Sequence, residues 1–291
     1  MQPNAAPPPT SSAPGLSAPL AGRVALLRSR LAAFRQRLAH SPADPAAPEF
    51  LTAMQEFLDF IRVYDDPDAY AAFERTAELA EFRASFAPCV LRFTWAMENH
   101  TFAELMAKKT PGLTKMGPLL GAHTWGSYAR MEETLKLVDF SACRTYLMLG
   151  CGRVPGSLFY LHDWTAVDRL VGIDTDPDAL RMARELVAAF GLTRIRILAA
   201  DACAFDYGDY DVIYWDPFAI PRRKVMERIA STARQDSVII LREPFFTGTL
   251  LFESVVPSLA PRFAICAESA TFPGRFMLKH YLLRLRPASP V

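Results

Sequence analysis

Apolar side chains recur at every third or fourth position through the first half of the chain, which is the spacing of helices that bury one face. Val24, Leu27 and Leu31 begin the first such run, and most of the nearby arginines fall on the opposite, solvated face. Prolines interrupt the pattern between the runs. The pattern therefore predicts about five helices, in residues 23–38, 50–64, 67–82, 84–108 and 119–137.

After residue 140 the pattern changes to short apolar runs that alternate with amphipathic segments. The five runs are TYLML, RLVGID, RIRILAAD, YDVIYWDPF and SVIILREPF. Such alternation indicates parallel strands joined by crossover helices, and we also expect a helical stretch after the fifth strand. Two last runs, RFAICAES and RFMLKHYLLRLR, are joined by a loop that contains Pro273 and Gly274. They predict a terminal antiparallel hairpin.

These changes divide the chain into three predicted parts. Residues 1–20 are rich in proline, alanine and serine and carry no charge, so we expect a disordered tail. Residues 21–140 form a helical substrate or lid domain. Residues 141–291 form an α/β domain with a Rossmann-like sheet and the terminal hairpin.

Composition excludes several classes of function. Apolar residues make up 51% of the 291 residues, and the net charge of +1 gives no electrostatic reason to expect a nucleic-acid partner. Membrane spans are not expected, because no apolar run reaches 18 residues. A secretory signal is not expected either, because the N-terminus lacks a charged segment followed by an apolar segment. The five cysteines include no CxxC pair, which argues against a metal site and favours reduced thiols in the cytoplasm. The question of a homodimer stays open.

A glycine turn follows the first predicted strand, in the segment TYLMLGCGRVPGS. Gly150 and Gly152 allow a sharp turn and a close approach of the backbone to a ligand. Asp174 ends the next strand at the spacing where an acid meets ribose hydroxyls, and Asp201 ends the third strand. Because the carboxyl ends of parallel strands meet at one edge of the sheet, these residues predict a nucleotide site.

The same loop carries a more specific resemblance. It fits the pattern G-x-G-x-x-P-x-S/T, with Pro155 and Ser157 at the last two fixed positions. This pattern resembles the motif of the nicotianamine synthase family, which includes opine-metallophore enzymes and has the azetidine-2-carboxylate synthases as relatives. The segment VGIDTDPDA (171–179) resembles the second motif of the family. Over residues 1–90 the resemblance rests on helical character alone.

The resemblance implies a class I methyltransferase fold that takes S-adenosylmethionine (SAM) as a small-molecule substrate. It implies use of the 3-amino-3-carboxypropyl arm of SAM, with release of methylthioadenosine, in place of methyl transfer. The residues expected to bind SAM are Gly150, Gly152, Pro155, Ser157, Asp174, Thr175, Asp201, Ala202, Trp215 and Phe218.

Two positions in the loop depart from the usual methyltransferase pattern. Met148 stands where many methyltransferases carry an acid, and Pro155 stands where a third glycine is expected. Pro155 either reshapes the space for the methionine arm or starts the following helix. Both departures favour use of the amino acid arm over methyl transfer.

The end of the fourth strand keeps a rival function open. The sequence from Asp216 to Phe218 resembles the signature of amine-directed methyltransferases, although it has one proline and not two. Asp216 is a candidate acceptor for a proton of the attacking amine, and Phe218 is a candidate to pack near the sulfonium. A small-molecule N-methyltransferase is therefore the alternative. Arg242 and Glu243, at the end of the fifth strand, form a structural pair or line the substrate side.

The helical half supplies the remaining candidates by resemblance to the family. Glu98 matches its glutamate-bearing helix, and Tyr128 matches a tyrosine that faces the methionine arm. Asn99 is a further candidate for the carboxylate or amine of SAM, and Trp95 and Trp125 are candidates to exclude water. The catalytic candidates are thus Tyr128, Asp216 and Glu98. The aromatic content slightly favours cyclisation of SAM to azetidine-2-carboxylate over transfer of an aminobutyryl group to an amino acid amine. A noncatalytic nucleotide-binding scaffold is disfavoured.

Overall fold

The computed structural model describes residues 17–110, 112–120, 127–259, 262–269 and 277–287. The first sixteen residues of the predicted tail, and the predicted hairpin loop with Pro273 and Gly274, lie outside these ranges. The first helix begins at Ala18, within the region predicted as tail. The tail prediction was wrong for residues 18–20, because a proline is compatible with the first turn of a helix, where its missing N–H is not needed.

The first half of the described chain is helical, as predicted. Its helices are α1 (Ala18–Ala39), α2 (Pro48–Val63), α3 (Pro67–Glu74), α4 (Glu78–Ala107), α5 (Gly117–Leu120) and α6 (Ser127–Leu135). The first four helices share a core rich in phenylalanine, in which the rings of Phe57 and Phe86 stack with centroids 4.2 Å apart. The side chain of Asp66 caps α3 by accepting from the Ala69 N–H.

The position of one helix boundary differs from the prediction. The helical structure is interrupted at residues 75–77 and not near residue 83. Helix α4 then runs for 30 residues with Pro88 inside it. The helix tolerates Pro88 because the surrounding side chains Phe82, Phe86 and Phe93 are buried in the helical core. Tertiary packing therefore overrides a local helix breaker.

The second half forms a seven-stranded sheet, and the predicted α/β fold with a terminal antiparallel pair is confirmed. The strands are β1 (Thr145–Leu149), β2 (Arg169–Asp174), β3 (Ile195–Ala199), β4 (Val212–Trp215), β5 (Val238–Pro244), β6 (Phe263–Glu268) and β7 (Leu278–Leu285). Their order is β3-β2-β1-β4-β5-β7-β6, and the pairings are parallel except for those of β7 with β5 and β6. The crossover helices are α7 (Gly156–Trp164), α8 (Pro177–Ala189) and α9 (Arg222–Thr232).

Helices cover both faces of the sheet, so alternate residues of each strand enter different cores. Tyr214 of β4 belongs to the core beneath α5 to α8, whereas Trp215 belongs to the core beneath α9. Among the described residues, no helix combines the length and the apolar character needed to span a bilayer.

The helical stretch predicted after β5 is present, but it is not an α-helix. It forms two short 3-10 turns, Phe246–Leu250 and Val256–Ser258. The first turn is held by the helical half: the hydroxyl of Thr247 donates to Ile61 O at 2.8 Å, and the Thr249 hydroxyl lies 2.7 Å from the Tyr70 hydroxyl. These buried contacts specify a tight turn at this position. They also fix the helical half against the sheet, with α4 above the strand ends.

Candidate active site

A cavity of about 450 Å³ lies where the carboxyl ends of the central parallel strands face helix α4. Its walls include most of the residues predicted to bind SAM or to act in catalysis. The predicted residues that line it are Glu98, Tyr128, Gly150, Gly152, Asp174, Thr175, Asp201, Ala202, Asp216 and Phe218. Its volume is within the range of small-molecule sites, roughly 300–1,000 Å³.

The glycine turn forms the floor of the cavity. Gly150 and Gly152 have φ values of +68° and +65°, in the left-handed region that favours glycine. The Gly150 N–H donates to Ile173 O at 3.0 Å, and the Gly152 N–H donates to Asp174 Oδ2 at 2.9 Å. The turn is therefore tied to the end of β2 at two points.

Glu98 on α4 approaches the turn from above. A β-carbon placed on Gly152 would lie 2.6 Å from Glu98 Oε1, so the glycine is needed for this approach as well as for its φ angle. Glu98 Oε2 accepts a hydrogen bond of 3.1 Å from the Arg153 N–H. The carboxylate of the helical half and the loop of the sheet thus meet directly in the cavity.

The surroundings of Glu98 change its acidity. Burial raises the pKa of Glu98 from its ordinary value of 4.5 to about 7, and the negative charges of Asp174 and Asp216 act in the same direction. The Arg153 N–H and guanidinium oppose the rise. A carboxyl group with this pKa can take up and release a proton near neutral pH, as a general base requires.

Asp174 and Asp201 lie at the ends of β2 and β3, on one side of the cavity. Asp174 Oδ1 accepts from the N–H groups of Thr175 and Asp176, at 2.8 and 3.0 Å, in addition to the bond that its Oδ2 accepts from the glycine turn. A carboxylate has about four acceptor sites, so these contacts leave about one for a ligand hydroxyl. Asp201 Oδ1 accepts from the Cys203 N–H at 2.8 Å. The two acids are thus held by backbone donors.

Asp216 and Arg242 form a buried ion pair on the opposite side of the cavity. Arg242 Nη1 donates to Asp216 Oδ2 at 2.9 Å, and Asp216 Oδ1 accepts from the Phe218 N–H at 3.1 Å. Phe218 lines the cavity and packs edge-on against Phe252. The predicted proton acceptor Asp216 is therefore already engaged by a guanidinium.

Two neutral groups lie behind this ion pair. The Tyr214 hydroxyl lies 3.3 Å from His280 Nε2 on β7. Burial, and then the charges of Arg242 and Arg130, lower the pKa of His280 to about 3. His280 is therefore neutral at physiological pH and adds no charge to this corner.

Tyr128 lines the cavity, but its hydroxyl is bound elsewhere. It donates to Asp163 Oδ2 at 2.8 Å and accepts from the Trp164 indole N–H at 2.8 Å. Asp163 Oδ2 also accepts from the backbone N–H groups of Met116 and Gly117. Burial, and then the hydrogen bond to Asp163, raise the pKa of Tyr128. Because its hydroxyl is engaged in this network, Tyr128 is a weak candidate for proton transfer. It is a strong candidate for a residue that shapes the cavity wall.

Arg153, in the middle of the loop motif, joins three elements. Its Nη2 donates to Asp176 Oδ2 at 3.0 Å, and its guanidinium lies 4.9 Å from the ring centroid of Trp95. Asp176 also caps α8 by accepting from the Asp178 N–H, with Pro177 at the first position of that helix. Trp95 lines the cavity, and the arginine holds it there.

Three residues predicted to bind SAM do not line the cavity. Pro155 directly precedes α7, in agreement with the alternative that it starts the following helix. Ser157 is fully buried in that helix. Trp215 is fully buried in the other face of the sheet, because strand alternation turns it away from the side that Asp216 faces.

Two further candidates from the helical half also lie elsewhere. Asn99 is exposed on α4, because one step along a helix turns a side chain away from the face that carries Glu98. Trp125 lies outside the described residues.

Other cavity residues were missed by sequence reasoning. Thr94 and Thr101 line the cavity from α4, and Arg130 lines it from α6. Thr94 lies four residues before Glu98 and Thr101 three after it, so the helical period could have placed all three on one face. The position of Arg130 depends on how the helical half packs on the sheet, which no local pattern reveals.

Comparison with known proteins identifies the fold. No protein-family model and no curated protein matches the sequence. Among solved structures, a variant of the nicotianamine synthase MtNAS in complex with S-adenosylmethionine is similar, with a TM-score of 0.73 and 15% identity over 90% of this chain and 99% of that chain. MtNAS in complex with MTA and tNA has a TM-score of 0.70 and 16% identity, over 91% and 98% of the two chains. The chain therefore shares the fold of MtNAS, helical half included.

Proposed function

We propose that the protein is a SAM-dependent enzyme that uses the 3-amino-3-carboxypropyl arm of SAM and releases methylthioadenosine. The observation that carries the proposal is Glu98, a carboxyl group with a pKa of about 7 held against the glycine turn at Gly152. An amine must lose a proton before it attacks carbon, and a group of this pKa is suited to accept it.

SAM is the substrate that the cavity suits best. Gly150 and Gly152 let the backbone approach a ligand, and Asp174 and Asp201 present carboxylate oxygens at neighbouring strand ends. Such oxygens accept hydrogen bonds from ribose hydroxyls and from an adenine amino group. The similarity in fold to MtNAS, whose structures contain SAM or MTA, supports the same choice.

The preferred reaction is cyclisation of SAM to azetidine-2-carboxylate. The α-ammonium of SAM gives one proton to Glu98, and the freed nitrogen attacks the γ-carbon of the same arm. A carbon–nitrogen bond forms while the carbon–sulfur bond breaks, and the electron pair of that bond passes to sulfur. Methylthioadenosine leaves as a neutral thioether, and the proton on Glu98 passes to solvent.

The size and lining of the cavity favour cyclisation over transfer to a second amino acid. A volume of about 450 Å³ is toward the lower end for ligand sites, which suits one ligand better than two. Trp95 and Phe218 contribute apolar surface that excludes water, which would otherwise compete as a nucleophile. Aminobutyryl transfer to an amino acid amine is the second branch of the same proposal.

Product analysis separates these branches and tests the proposal. The protein is incubated with SAM alone, and then with SAM and a mixture of amino acids, and the products are identified by mass spectrometry. Methylthioadenosine with azetidine-2-carboxylate from SAM alone supports cyclisation. Methylthioadenosine that forms only when amino acids are added supports aminobutyryl transfer. S-adenosylhomocysteine as the product would overturn both and establish the N-methyltransferase alternative.

A further inference from the structure

We propose that Arg242 binds the α-carboxylate of the amino acid arm and so decides which adenosyl compounds the site accepts. The inference rests on the proposed function, because it assigns a role to a residue in the same cavity. It concerns the side of the cavity away from Asp174 and Asp201, to which the loop motif assigns nothing.

Arg242 is one of two consecutive charged residues of β5 that face opposite ways. Arg242 lines the cavity and pairs with Asp216, whereas Glu243 enters the opposite core and pairs with Arg222. Arg242 is only 5% exposed. A buried guanidinium on a cavity wall, with five N–H donors and one of its nitrogens on Asp216, is suited to hold a second carboxylate.

The position of Arg242 along the sheet matches the length of the ligand. Asp174 ends β2 and Arg242 lies near the end of β5, with β1 and β4 between them. Neighbouring strands are about 4.8 Å apart, so the two strand ends are separated by about 14 Å. A ligand with ribose hydroxyls at one end and a carboxylate at the other can reach both sides of such a cavity.

This placement also puts the amine where the proposed reaction needs it. The α-amine and the α-carboxylate share one carbon atom, so a carboxylate on Arg242 holds the amine beside Asp216. Glu98 lines the same cavity as Asp174 and Asp216, and its carboxylate is held by the Arg153 N–H. Arg242 therefore acts as a binding and positioning residue, and Glu98 takes the proton.

Three adenosyl compounds and a matched control variant test the inference. Calorimetry measures the affinity of each protein for SAM, for decarboxylated SAM, which lacks the carboxylate, and for methylthioadenosine, which lacks the whole arm. The variants are Arg242→Gln and Arg222→Gln, which each remove one arginine of a buried ion pair, on opposite faces of the sheet.

We expect the unaltered protein to bind SAM roughly 10- to 100-fold more tightly than decarboxylated SAM, since a hydrogen-bonded charged group is lost. Arg242→Gln should abolish this preference and leave the affinity for methylthioadenosine within a few-fold. Arg222→Gln should keep the preference. If Arg242→Gln fails to fold, the double variant Arg242→Gln with Asp216→Asn, which removes both charges, replaces it and should lose the preference in the same way.

A preference that survives the loss of Arg242 would overturn the inference while leaving the proposed function intact. Absence of binding of all three compounds to the unaltered protein would instead overturn the proposed function itself. The two failures are therefore distinguishable in one set of titrations.

Discussion

Two buried arginine–carboxylate pairs involve consecutive residues near the end of β5, lie on opposite faces of the sheet, and differ in what surrounds them. Glu243 accepts from Arg222, from the Ser254 hydroxyl and from the N–H groups of Val255 and Val256. This pair is enclosed in the core beneath α9. The pair of Arg242 and Asp216 has fewer partners and forms part of the cavity wall.

One strand can therefore supply a structural ion pair and a ligand-facing ion pair at consecutive positions. Burial and chemistry are nearly the same in the two pairs, so neither property alone identifies a functional residue. The two pairs differ in access to the cavity, which only the pair of Arg242 and Asp216 lines. Changes on the cavity side should therefore alter ligand binding and turnover, and changes on the core side should alter stability.

The largest effect is expected on the cavity side, at Glu98. Glu98→Gln keeps the shape of the side chain but cannot accept the proton, so turnover should fall by about 100- to 10,000-fold, with SAM affinity changed only slightly. In the unaltered protein, turnover should rise with pH through about 7, as Glu98 ionises. Steady-state rates across pH check both results; full activity of the variant would remove Glu98 from the mechanism.

On the core side, Glu243→Gln should act on stability. It leaves Arg222 buried without its charge partner, and such a loss costs about 3 to 5 kcal/mol of unfolding free energy. Denaturant unfolding measures this cost, and calorimetry on the folded fraction should show unchanged affinity for SAM. A variant with normal stability and impaired affinity would break the distinction between the two sides.

The raised pKa of Glu98 also predicts an effect on stability. Because the folded protein favours the protonated form, this group contributes stability at low pH that is lost as pH rises from about 4.5 through 7. Without ligand, Glu98→Gln should therefore be more stable than the unaltered protein at pH 8, by on the order of 3 kcal/mol, and equal to it below pH 4.5. Equal stabilities at pH 8, measured by denaturant unfolding, would contradict the raised pKa.

The smallest effect is expected at Tyr128, which lines the cavity but binds Asp163. Tyr128→Phe removes two hydrogen bonds, one to Asp163 and one from the Trp164 indole N–H, and should lower the unfolding free energy by about 2 kcal/mol. Turnover should fall more than SAM affinity if the hydroxyl also orients the arm. Unchanged rate and affinity, from steady-state kinetics and calorimetry, would leave Tyr128 a packing residue.

The repeating patterns of the sequence were enough to predict the sheet and its terminal antiparallel pair. A buried parallel strand such as β1 is continuously apolar over Leu147–Leu149, and the glycine turn after it has a local cause in the φ angles of Gly150 and Gly152. Asp174 and Asp201 could be placed at the cavity because strand ends share one edge of the sheet.

Other features depend on contacts that local patterns do not contain. The hydrogen bond from the Arg153 N–H to Glu98 joins residues 55 positions apart, and its geometry follows from how α4 packs on the sheet. Pro88 remains inside a helix because of the phenylalanine core around it. The burial of Trp215 away from the cavity could have been foreseen, since strand alternation separates it from Asp216.

Labelled SAM shows most directly whether the protein uses the amino acid arm and not the methyl group. The substrate carries deuterium in the methyl group and carbon-13 in the amino acid arm, and mass spectrometry follows both labels. We expect methylthioadenosine that retains the deuterated methyl and a separate product that contains the carbon-13 arm. S-adenosylhomocysteine that retains carbon-13 and has lost the deuterated methyl would contradict this expectation.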